Sequence, residues 1–266
     1  MTSIVFPGQG SQFIGMSKDF YDNFAEARST FDQIQDYVEL DLKKIIFDGQ
    51  DNLINITRYT QISIFAASMS MFKTYQSENG FKLSNINTML GHSLGEYTAL
   101  ACSNKIGLRE CSLILKRRGE LMDDAVESNK SGMAALIGCN SEDIHRIIKD
   151  NKMNIQIAND NSPIQVVISG DNSEIENNKE TFLKNNVKKF IKLNVSAGFH
   201  SNFMIEAEKK LALDIDNLSF QSNPIRIISN FTAEESNNND IIKQSLKNQM
   251  SNTVRWTESI NKLLNL

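Results

Sequence analysis

A serine flanked by glycines is the residue of this chain best suited to covalent chemistry. It is Ser93, at the centre of the run Gly-His-Ser-Leu-Gly at positions 91–95. Residues 86–90 predict a buried strand and residues 94–102 a helix. That context turns the serine of a G-x-S-x-G pattern into an exposed nucleophile at a helix N-terminus, where negative charge is stabilised. The run therefore predicts a nucleophile elbow, and a serine that merely caps the helix is the alternative.

A catalytic serine needs a general base, and His200 is the best candidate among three histidines. It follows Phe199 at a predicted strand-to-helix junction, where a side chain can face a cleft. His145 lies on the polar side of a short predicted helix. His92 adjoins the nucleophile in a turn, where successive side chains point in different directions. We therefore expect His200 to act on Ser93.

No acidic residue between the serine and the histidine stands out as a third catalytic member. The order in hydrolases is Ser, acid, His, but Asp160 and Asp171 lie in predicted turns of the chain. We expect a dyad of Ser93 and His200, in which a backbone carbonyl or an amide holds the imidazole.

Arg118 lies on the apolar side of a helix predicted from residue 108 to about Val126. The apolar stripe comprises Leu108, Cys111, Leu115, Met122 and Ala125. A cation buried alone costs several kcal/mol, so it needs an anionic partner, and a substrate carboxylate held by the guanidinium would be one. The spacing favours Arg118 over Arg117 only weakly, and a solvated arginine pair at the helix edge is the alternative.

The composition is typical of an ordinary α/β protein and excludes several classes of function. Of 266 residues 40% are hydrophobic, and a net charge of −4 with a pI near 5.5 argues against bulk attraction to nucleic acid or membranes. Neither a membrane span nor a signal peptide is apparent. Three cysteines without a C-x-x-C pair fit a reducing cytoplasm, and three histidines show no metal-ligand spacing. We expect a cytoplasmic protein without metal or cofactor.

The order of predicted elements divides the chain into a large and a small domain. Residues 133–195 follow the order strand, helix, strand, strand, helix, strand, which is the ferredoxin-like βαββαβ unit. The other predicted elements are strands at 4–6, 86–90 and 225–229, helices at about 17–40, 41–47, 60–80, 94–102, 108–126 and 202–213, and two C-terminal helices. Thr60 and Ser141 are predicted N-caps, and residues 159–163 a turn. We place the large domain at 1–127 and 197–266, and the inserted small domain at 128–196.

Several short motifs together resemble one known family, the malonyl-CoA:acyl-carrier-protein transacylases. They are Phe6-Pro7-Gly8-Gln9-Gly10-Ser11-Gln12, Thr60-Gln61, Gly91-His92-Ser93-Leu94-Gly95-Glu96-Tyr97, Arg118-Gly119, Gly198-Phe199-His200-Ser201 and Val254-Arg255-Trp256-Thr257. Each motif alone has little specificity for the family, but all of them in this order through nearly the whole chain are highly specific. The resemblance implies an α/β fold with a hydrolase-like, mostly parallel sheet and flanking helices, plus the inserted ferredoxin-like domain.

The resemblance also implies a reaction. Ser93 would take a malonyl group from coenzyme A and pass it to the phosphopantetheine thiol of an acyl carrier protein, with His200 as general base and then general acid. Arg118 would hold the malonyl carboxylate. The backbone N–H groups of Gln9 and Leu94 would form the oxyanion hole.

Further residues are given roles by the same resemblance. Gly8 and Gly10 would let the Gln9 backbone approach a ligand closely. The backbone carbonyl of Gln249 would orient the histidine. Phe199 would select malonyl over methylmalonyl groups, because its bulk leaves no space for a methyl group at C2. Gln61 is a weaker candidate for the pocket wall.

The sequence departs from the family pattern at three points. Ile62 follows Thr60-Gln61 where proline is usual, and Thr253 stands where an Asn-Pro pair is common. Both changes are local and expected to be harmless. The chain stops at Leu266, ten residues after Trp256, which suggests a shorter wall on the large domain.

Three other functions are alternatives to malonyl transfer. A hydrolase that strips acyl groups from carrier proteins would share Ser93 and His200, but hydrolases of neutral acyl chains do not need Arg118. A non-catalytic module that docks carrier proteins would need neither. A dinucleotide loop at Gly8 is disfavoured because Phe13 takes the place of the third glycine.

The expected partners are malonyl-CoA and an acidic acyl carrier protein, with the enzyme a monomer that acts in trans. A basic stretch of the small domain is the candidate contact for the carrier protein, although such a run is more often a solvated face: Lys184, Lys188, Lys189 and Lys192. Fatty-acid synthesis is the expected pathway, and polyketide synthesis is the other possibility.

Overall fold

The computed structural model describes residues 2–125 and 130–266. The strands are β1 (Thr2–Phe6), β2 (Ile86–Gly91), β3 (Ser131–Ile137), β4 (Ile155–Ser162), β5 (Gln165–Asp171), β6 (Lys189–Lys192), β7 (Arg226–Ile228) and β8 (Glu235–Ser236). The helices are α1 (Lys18–Asn23), α2 (Ala25–Val38), α3 (Leu42–Ile46), α4 (Thr57–Asn79), α5 (Leu94–Cys102), α6 (Leu108–Asp123), α7 (Ser141–Asp150), α8 (Asn172–Asn177), α9 (Lys179–Lys184), α10 (Ile205–Asp216), α11 (Asn239–Lys247) and α12 (Trp256–Leu264). Short 3₁₀ turns lie at Gln50–Asn55, Leu83–Asn85 and Asn202–Met204.

The larger part of the chain is built on a sheet with the strand order β1-β2-β7-β8. The strands β1, β2 and β7 are parallel, and the short β8 is antiparallel to β7. Because the carboxyl ends of parallel strands meet at one edge of a sheet, the segments that follow β1, β2 and β7 converge there. Those segments begin with Pro7, His92 and Ser229, and they supply the site described below.

Helix α4 is the central helix of this part and is buried along most of its length. Helices α2, α5 and α6 pack around it. The prediction that it ends at Gly80 is confirmed, with Gly80 in a left-handed conformation (φ 58°). The prediction that Thr60 is its N-cap is wrong, because the helix begins at Thr57. Thr60 lies inside the first turn of the helix, and its hydroxyl donates to the backbone carbonyls of Ile54 and Ile56, which precede the helix.

The second sheet is antiparallel, with the strand order β4-β5-β3-β6. With α7 after β3 and with α8 and α9 after β5, this is the ferredoxin-like arrangement, and it confirms the predicted fold. One face of the sheet packs against these helices in a core of its own, which includes Leu136, Ile144, Ile168, Ile175 and Phe182. The opposite face, with Met133, Ala135 and Val167, belongs to the main core.

Strand β4 joins the small sheet to the larger part. The Val254 N–H donates to the Ala158 carbonyl (2.9 Å), and the Asp160 N–H donates to the Val254 carbonyl (3.0 Å). The Thr253 hydroxyl donates to the Ile157 carbonyl (2.6 Å). The predicted turn at residues 159–163 is therefore wrong, since β4 continues to Ser162. Its Asn- and Asp-rich sequence favours a turn locally, but backbone pairing on both sides keeps it extended, with two irregularities in register.

Other helix limits also differ from the predictions. The helix predicted at 17–40 is broken at Phe24, whose backbone is extended, and the one predicted at 173–184 is broken at Asn178. Ser141 is not an N-cap: Asn140 precedes α7 with an extended backbone, and its side chain accepts from the Asp143 N–H (2.8 Å).

The residue limits of the two domains stay a prediction. The first limit, between residues 127 and 128, and the predicted helix end near Val126 lie outside the described residues. In the part of the chain that the structure describes, no helix combines the length and apolar character needed to cross a membrane.

Candidate active site

Ser93 lies in the turn between β2 and α5, in a backbone conformation that non-glycine residues rarely adopt. Its φ is 52° and its ψ −106°, which is a strain of about 1–3 kcal/mol that neighbouring contacts must offset. Its N–H donates to Asn230 Oδ1 (2.6 Å), and Asn230 Nδ2 donates to the Gly91 carbonyl (2.8 Å). A Cβ at Gly91 would overlap the backbone of Gly95. The turn thus has the geometry that the elbow motif predicts.

His200 and Ser93 are in direct hydrogen-bond contact. The Ser93 hydroxyl lies 2.9 Å from His200 Nε2. On the other side of the ring, Nδ1 lies 3.0 Å from the Gln249 carbonyl and 3.2 Å from the Asn252 carbonyl. Because carbonyls only accept, Nδ1 carries the proton and Nε2 is free to accept the proton of Ser93. Backbone carbonyls therefore hold the imidazole, as the dyad prediction expects.

Burial keeps the imidazole neutral. It lowers the pKa of His200 from 6.5 to about 3, and the positive charge of nearby Arg118 acts in the same direction. A neutral imidazole at Nε2 is the form that a general base needs. His200 also has a positive φ of 54°, so both members of the dyad lie on strained backbone.

Arg118 is only 1% exposed, directly beneath the dyad. Its Nη1 donates to Gln61 Oε1 (2.6 Å), and its Nη2 donates to Ser93 Oγ (3.0 Å) and Gln249 Oε1 (2.9 Å). The Tyr97 ring lies 5.4 Å from the guanidinium carbon. Burial lowers the pKa of Arg118, but guanidinium stays protonated in proteins. All of its hydrogen-bond acceptors among the described residues are neutral, so its charge is available to an anionic group.

A buried cluster of Glu96, Gln249 and Asn230 supports the dyad from below. Gln249 Nε2 donates to Glu96 Oε2 (2.7 Å) and to the Ser93 carbonyl (3.0 Å). The Asn230 N–H donates to the same Glu96 oxygen (3.0 Å). Burial raises the pKa of Glu96 from 4.5 to about 7. The cluster connects the elbow, the base and Arg118 in one network.

The predicted oxyanion donors lie where two loops meet. Leu94 is the first residue of α5, and Gln9 lies in the loop after β1, beside the same cleft as Ser93. Neither backbone N–H donates to another group among the described residues. The expected role of Gly8 and Gly10 toward a ligand stays a prediction, but Gly8 has a second reason to lack a side chain: a Cβ there would come within 2.8 Å of the His92 ring. This close contact brings the Gln9 loop against the elbow.

A cleft of about 250 Å³ opens above Ser93 between the two parts of the chain. The larger part lines it with Gln9, Gly10, His92, Ser93, Met122, Phe199 and His200. The small sheet lines it with Met133, Ala135, Asn159, Asn161, Gln165 and Val167, and the segment after β6 lines it with Leu193 and Val195. Phe199 lines this cleft next to the dyad, and its role in selecting the acyl group stays a prediction.

The other two histidines are not part of the dyad. The His92 ring points to Asn161, with Nε2 2.8 Å from Asn161 Oδ1, and stands edge-on to Trp256. It links the elbow to the small sheet. His145 is exposed on α7.

Two lysines of the basic stretch, Lys189 and Lys192, lie on opposite faces of the small sheet. Lys189 is paired with Ile137, and Ile191 is paired with Ala135, which lines the cleft. Because paired residues share a face, Lys189 lies on the cleft side. Lys192 lies on the other face and forms an ion pair with Glu176 (3.0 Å).

Sequence reasoning missed Glu96, Asn230 and Asn252. Asn230 follows β7, at the same sheet edge as the elbow, and that position was a usable signal. Glu96 lies three residues after Ser93, one helical turn away, but nothing in its spacing distinguishes it from a solvated glutamate. Asn252 contributes through its backbone, which a side-chain pattern does not reveal. Within residues 2–125 and 130–266, no group of His, Cys, Asp and Glu could hold a metal ion.

Comparison with known proteins places this geometry in context. A family model described as an acyl transferase domain matches residues 4–265. The malonyl CoA-acyl carrier protein transacylase of Bacillus subtilis (strain 168) is 33% identical over 265 residues, 98% of this chain and 82% of that protein. The polyketide biosynthesis protein PksE of the same strain is 36% identical over 99% of this chain and 33% of PksE. A solved complex of a type II PKS acyl-carrier protein with its malonyl-transacylase (PlMCAT:AntF) has a TM-score of 0.93 and 31% identity, over 99% of this chain and 85% of that chain.

Proposed function

The chain belongs to the acyl transferase domain family, and we propose that it transfers a malonyl group from coenzyme A to the phosphopantetheine thiol of an acyl carrier protein through an ester on Ser93. The observation that carries this proposal is the position of Arg118. Its guanidinium is buried, 3.0 Å from the nucleophile, and its described hydrogen-bond acceptors are neutral. An acyl group that ends in a carboxylate would supply the missing anion next to the reacting carbon.

The first half of the reaction acylates the serine. The Ser93 oxygen attacks the thioester carbonyl while its proton moves to His200 Nε2. The Gln9 and Leu94 N–H groups stabilise the oxyanion. The C–S bond then breaks, and the departing coenzyme A sulfur takes the proton from His200.

The second half reverses these steps with a different thiol. The carrier thiol gives its proton to His200 and attacks the ester carbonyl, and the bond between the acyl carbon and Ser93 Oγ breaks. The proton returns to the serine. Backbone carbonyls hold the His200 ring in one tautomer through both halves.

Intact-mass analysis tests the proposal. The wild-type protein, incubated with malonyl-CoA, is expected to gain one malonyl group on Ser93 and to lose it when holo carrier protein is added. Ser93→Ala should gain none. Arg118→Ala should be malonylated at least about tenfold more slowly, because a guanidinium–carboxylate contact is lost, while acetylation from acetyl-CoA is retained.

The hydrolase alternative has a different signature. Sustained release of free malonate without loaded carrier protein would contradict transfer. A docking module would bind carrier protein equally well with alanine at position 93 and would show no turnover in either form.

The partner, pathway and compartment follow from the same proposal. Carrier protein would contact the cleft side of the small sheet at Lys189. Of the similar proteins, one is named as a malonyl CoA-acyl carrier protein transacylase without a pathway, and another as a polyketide biosynthesis protein. We propose that this chain supplies fatty-acid synthesis. The functions of the neighbouring genes would test this. The three cysteines are buried and free, which supports a reducing cytoplasm. We propose a monomer, which light scattering would test.

A further inference from the structure

Glu96 is a fully buried acid whose hydrogen bonds all use one oxygen. Its Oε2 accepts from Gln249 Nε2 (2.7 Å) and from the Asn230 N–H (3.0 Å). Its Oε1 has no hydrogen-bond partner among the described residues. Glu96 does not contact Ser93 Oγ or His200 by hydrogen bond, so it has no direct part in the steps above.

The Gln249 side chain connects this acid to Arg118. A carboxamide has a donor end and an acceptor end, which differ in what they can face. Glu96 Oε2 accepts the shorter of two hydrogen bonds from the Nε2 end (2.7 Å, against 3.0 Å to the Ser93 carbonyl), and this orientation directs Oε1 toward Arg118 Nη2 (2.9 Å). A reversed amide would bring two donor groups together at Arg118 and two acceptors together at Glu96.

We propose that Glu96 is a positioning residue that fixes the Gln249 amide, and through it the Arg118 guanidinium, for binding the acyl carboxylate. The inference rests on the proposed function, since it concerns the carboxylate end of the acyl group. It explains why Arg118 is held by neutral oxygens and not by an acid in direct contact. A direct ion pair would occupy the charge that the substrate needs.

The role requires an acceptor at Oε2 and does not require a negative charge. Burial raises the pKa of Glu96 to about 7, and a proton on the unpartnered Oε1 would leave both hydrogen bonds at Oε2 intact. A glutamine at this position keeps one carbonyl oxygen for the same two donors. A leucine removes the acceptor at similar volume, and an aspartate keeps it but withdraws it from Gln249.

The test compares malonyl-CoA with acetyl-CoA, which lacks the carboxylate. The measured quantity is the ratio of the two kcat/KM values for acylation of Ser93. We expect Glu96→Leu to lower this ratio about thirtyfold, Glu96→Asp about tenfold and Glu96→Gln less than about threefold, since buried hydrogen bonds to charged groups have effects of this size. Loss of the Asn230 contact should slow both substrates equally and cancel in the ratio.

A double-mutant cycle links the effect to Arg118. In an Arg118→Ala background, Glu96→Leu should change the ratio less than about twofold, because the group that it positions is gone. Glu110 is a matched control: its carboxylate accepts from the Ser219 N–H (3.2 Å) on a distant segment. Glu110→Gln and Glu110→Leu should leave the ratio unchanged.

The outcomes separate this inference from the proposed function. A wild-type enzyme with no preference for malonyl-CoA would overturn both. If Glu96→Leu and Glu96→Asp keep the wild-type preference for malonyl-CoA, only the role of Glu96 is overturned. The same holds if Glu96→Leu lowers the ratio about thirtyfold in the Arg118→Ala background as well. If Glu96→Leu does not fold, Glu96→Asp supplies the same comparison.

Discussion

The two sides of the cleft contribute different kinds of groups. Among the described residues, its titratable lining side chains, His92 and His200, come from the larger part of the chain, with Arg118 and Glu96 buried behind them. In the described parts of the chain, the small sheet and the segment after β6 contribute apolar side chains and three carboxamides to this lining. Among the described residues, the imidazole and the guanidinium therefore come from one side, and the other side adds an uncharged wall to the cleft.

The difference follows from the kind of sheet on each side. At the carboxyl end of parallel strands, several chain segments leave the sheet at one place and can bring unrelated polar groups together. The face of an antiparallel sheet presents alternate residues of each strand, which gives a continuous wall. The strained positions Ser93 and His200 are both on the first side, and such strain is stored where function requires it.

The largest expected effect comes from removing the base. His200→Ala should lower kcat for malonyl transfer about a thousandfold, since a nucleophile without its base loses most of its reactivity. Single-turnover acylation of Ser93 measures this directly. His145→Ala, which changes an exposed histidine, is the control and should retain activity. A comparable loss in both variants would contradict the assignment.

Two buried groups of the larger part of the chain, His200 and Glu96, are expected to make folding stability depend on pH. His200 has a folded-state pKa of about 3, below its ordinary 6.5, so its contribution to stability is present above pH 6.5 and is lost as the pH falls toward 3. Glu96 has a folded-state pKa of about 7, above its ordinary 4.5. Its contribution is present below pH 4.5 and is lost as the pH rises through 7.

These two contributions have opposite slopes between pH 4.5 and 6.5 and offset each other there. In Glu96→Gln only the histidine slope remains. The free energy of unfolding of this variant should therefore fall more steeply with decreasing pH than that of the wild type, by up to about 1.4 kcal/mol per pH unit. Denaturant titrations at several pH values measure it. Parallel pH curves for the two proteins would show that Glu96 does not titrate in this range.

A smaller effect is expected from Phe199, on the selectivity between malonyl-CoA and methylmalonyl-CoA. Phe199→Ser should lower the ratio of kcat/KM for malonyl-CoA over methylmalonyl-CoA about tenfold, because it makes room for one methyl group. Val167→Thr, on the opposite wall, keeps the volume and should change both KM values alike. An unchanged ratio in Phe199→Ser would remove the specificity argument.

The smallest effect is expected from Lys189, on the cleft side of the small sheet. Lys189→Glu should raise KM for an acidic carrier protein about threefold at low salt and leave KM for malonyl-CoA unchanged. Lys192→Glu is the matched control, because Lys192 lies on the opposite face and pairs with Glu176. Equal effects of the two substitutions, or an equal effect on both substrates, would contradict a cleft-side contact.

The sequence was informative where local chemistry decides the structure. The glycines around Ser93, the apolar strand before it and the helix after it predict the elbow, and the βαββαβ order predicts the second sheet. The turn predicted at residues 159–163 failed because pairing with Val254 and β5 overrides the local preference of Asn and Asp for turns. Glu96 was missed because its role arises from contacts across more than 130 residues, which no local pattern contains, whereas the place of Asn230 at the sheet edge was a signal that the sequence did offer.

The burial of the cysteines has a practical consequence for an enzyme that handles thiols. Burial raises the pKa of Cys139 to about 11 and that of Cys102 and Cys111 further above the ordinary value. The thiolate is the reactive form, so we expect none of the three to compete with coenzyme A or the carrier for the acyl group. Mixed disulfides with either substrate are disfavoured for the same reason. Maleimide or iodoacetamide should therefore stop a reaction mixture by capping the substrate thiols while leaving the protein unlabelled.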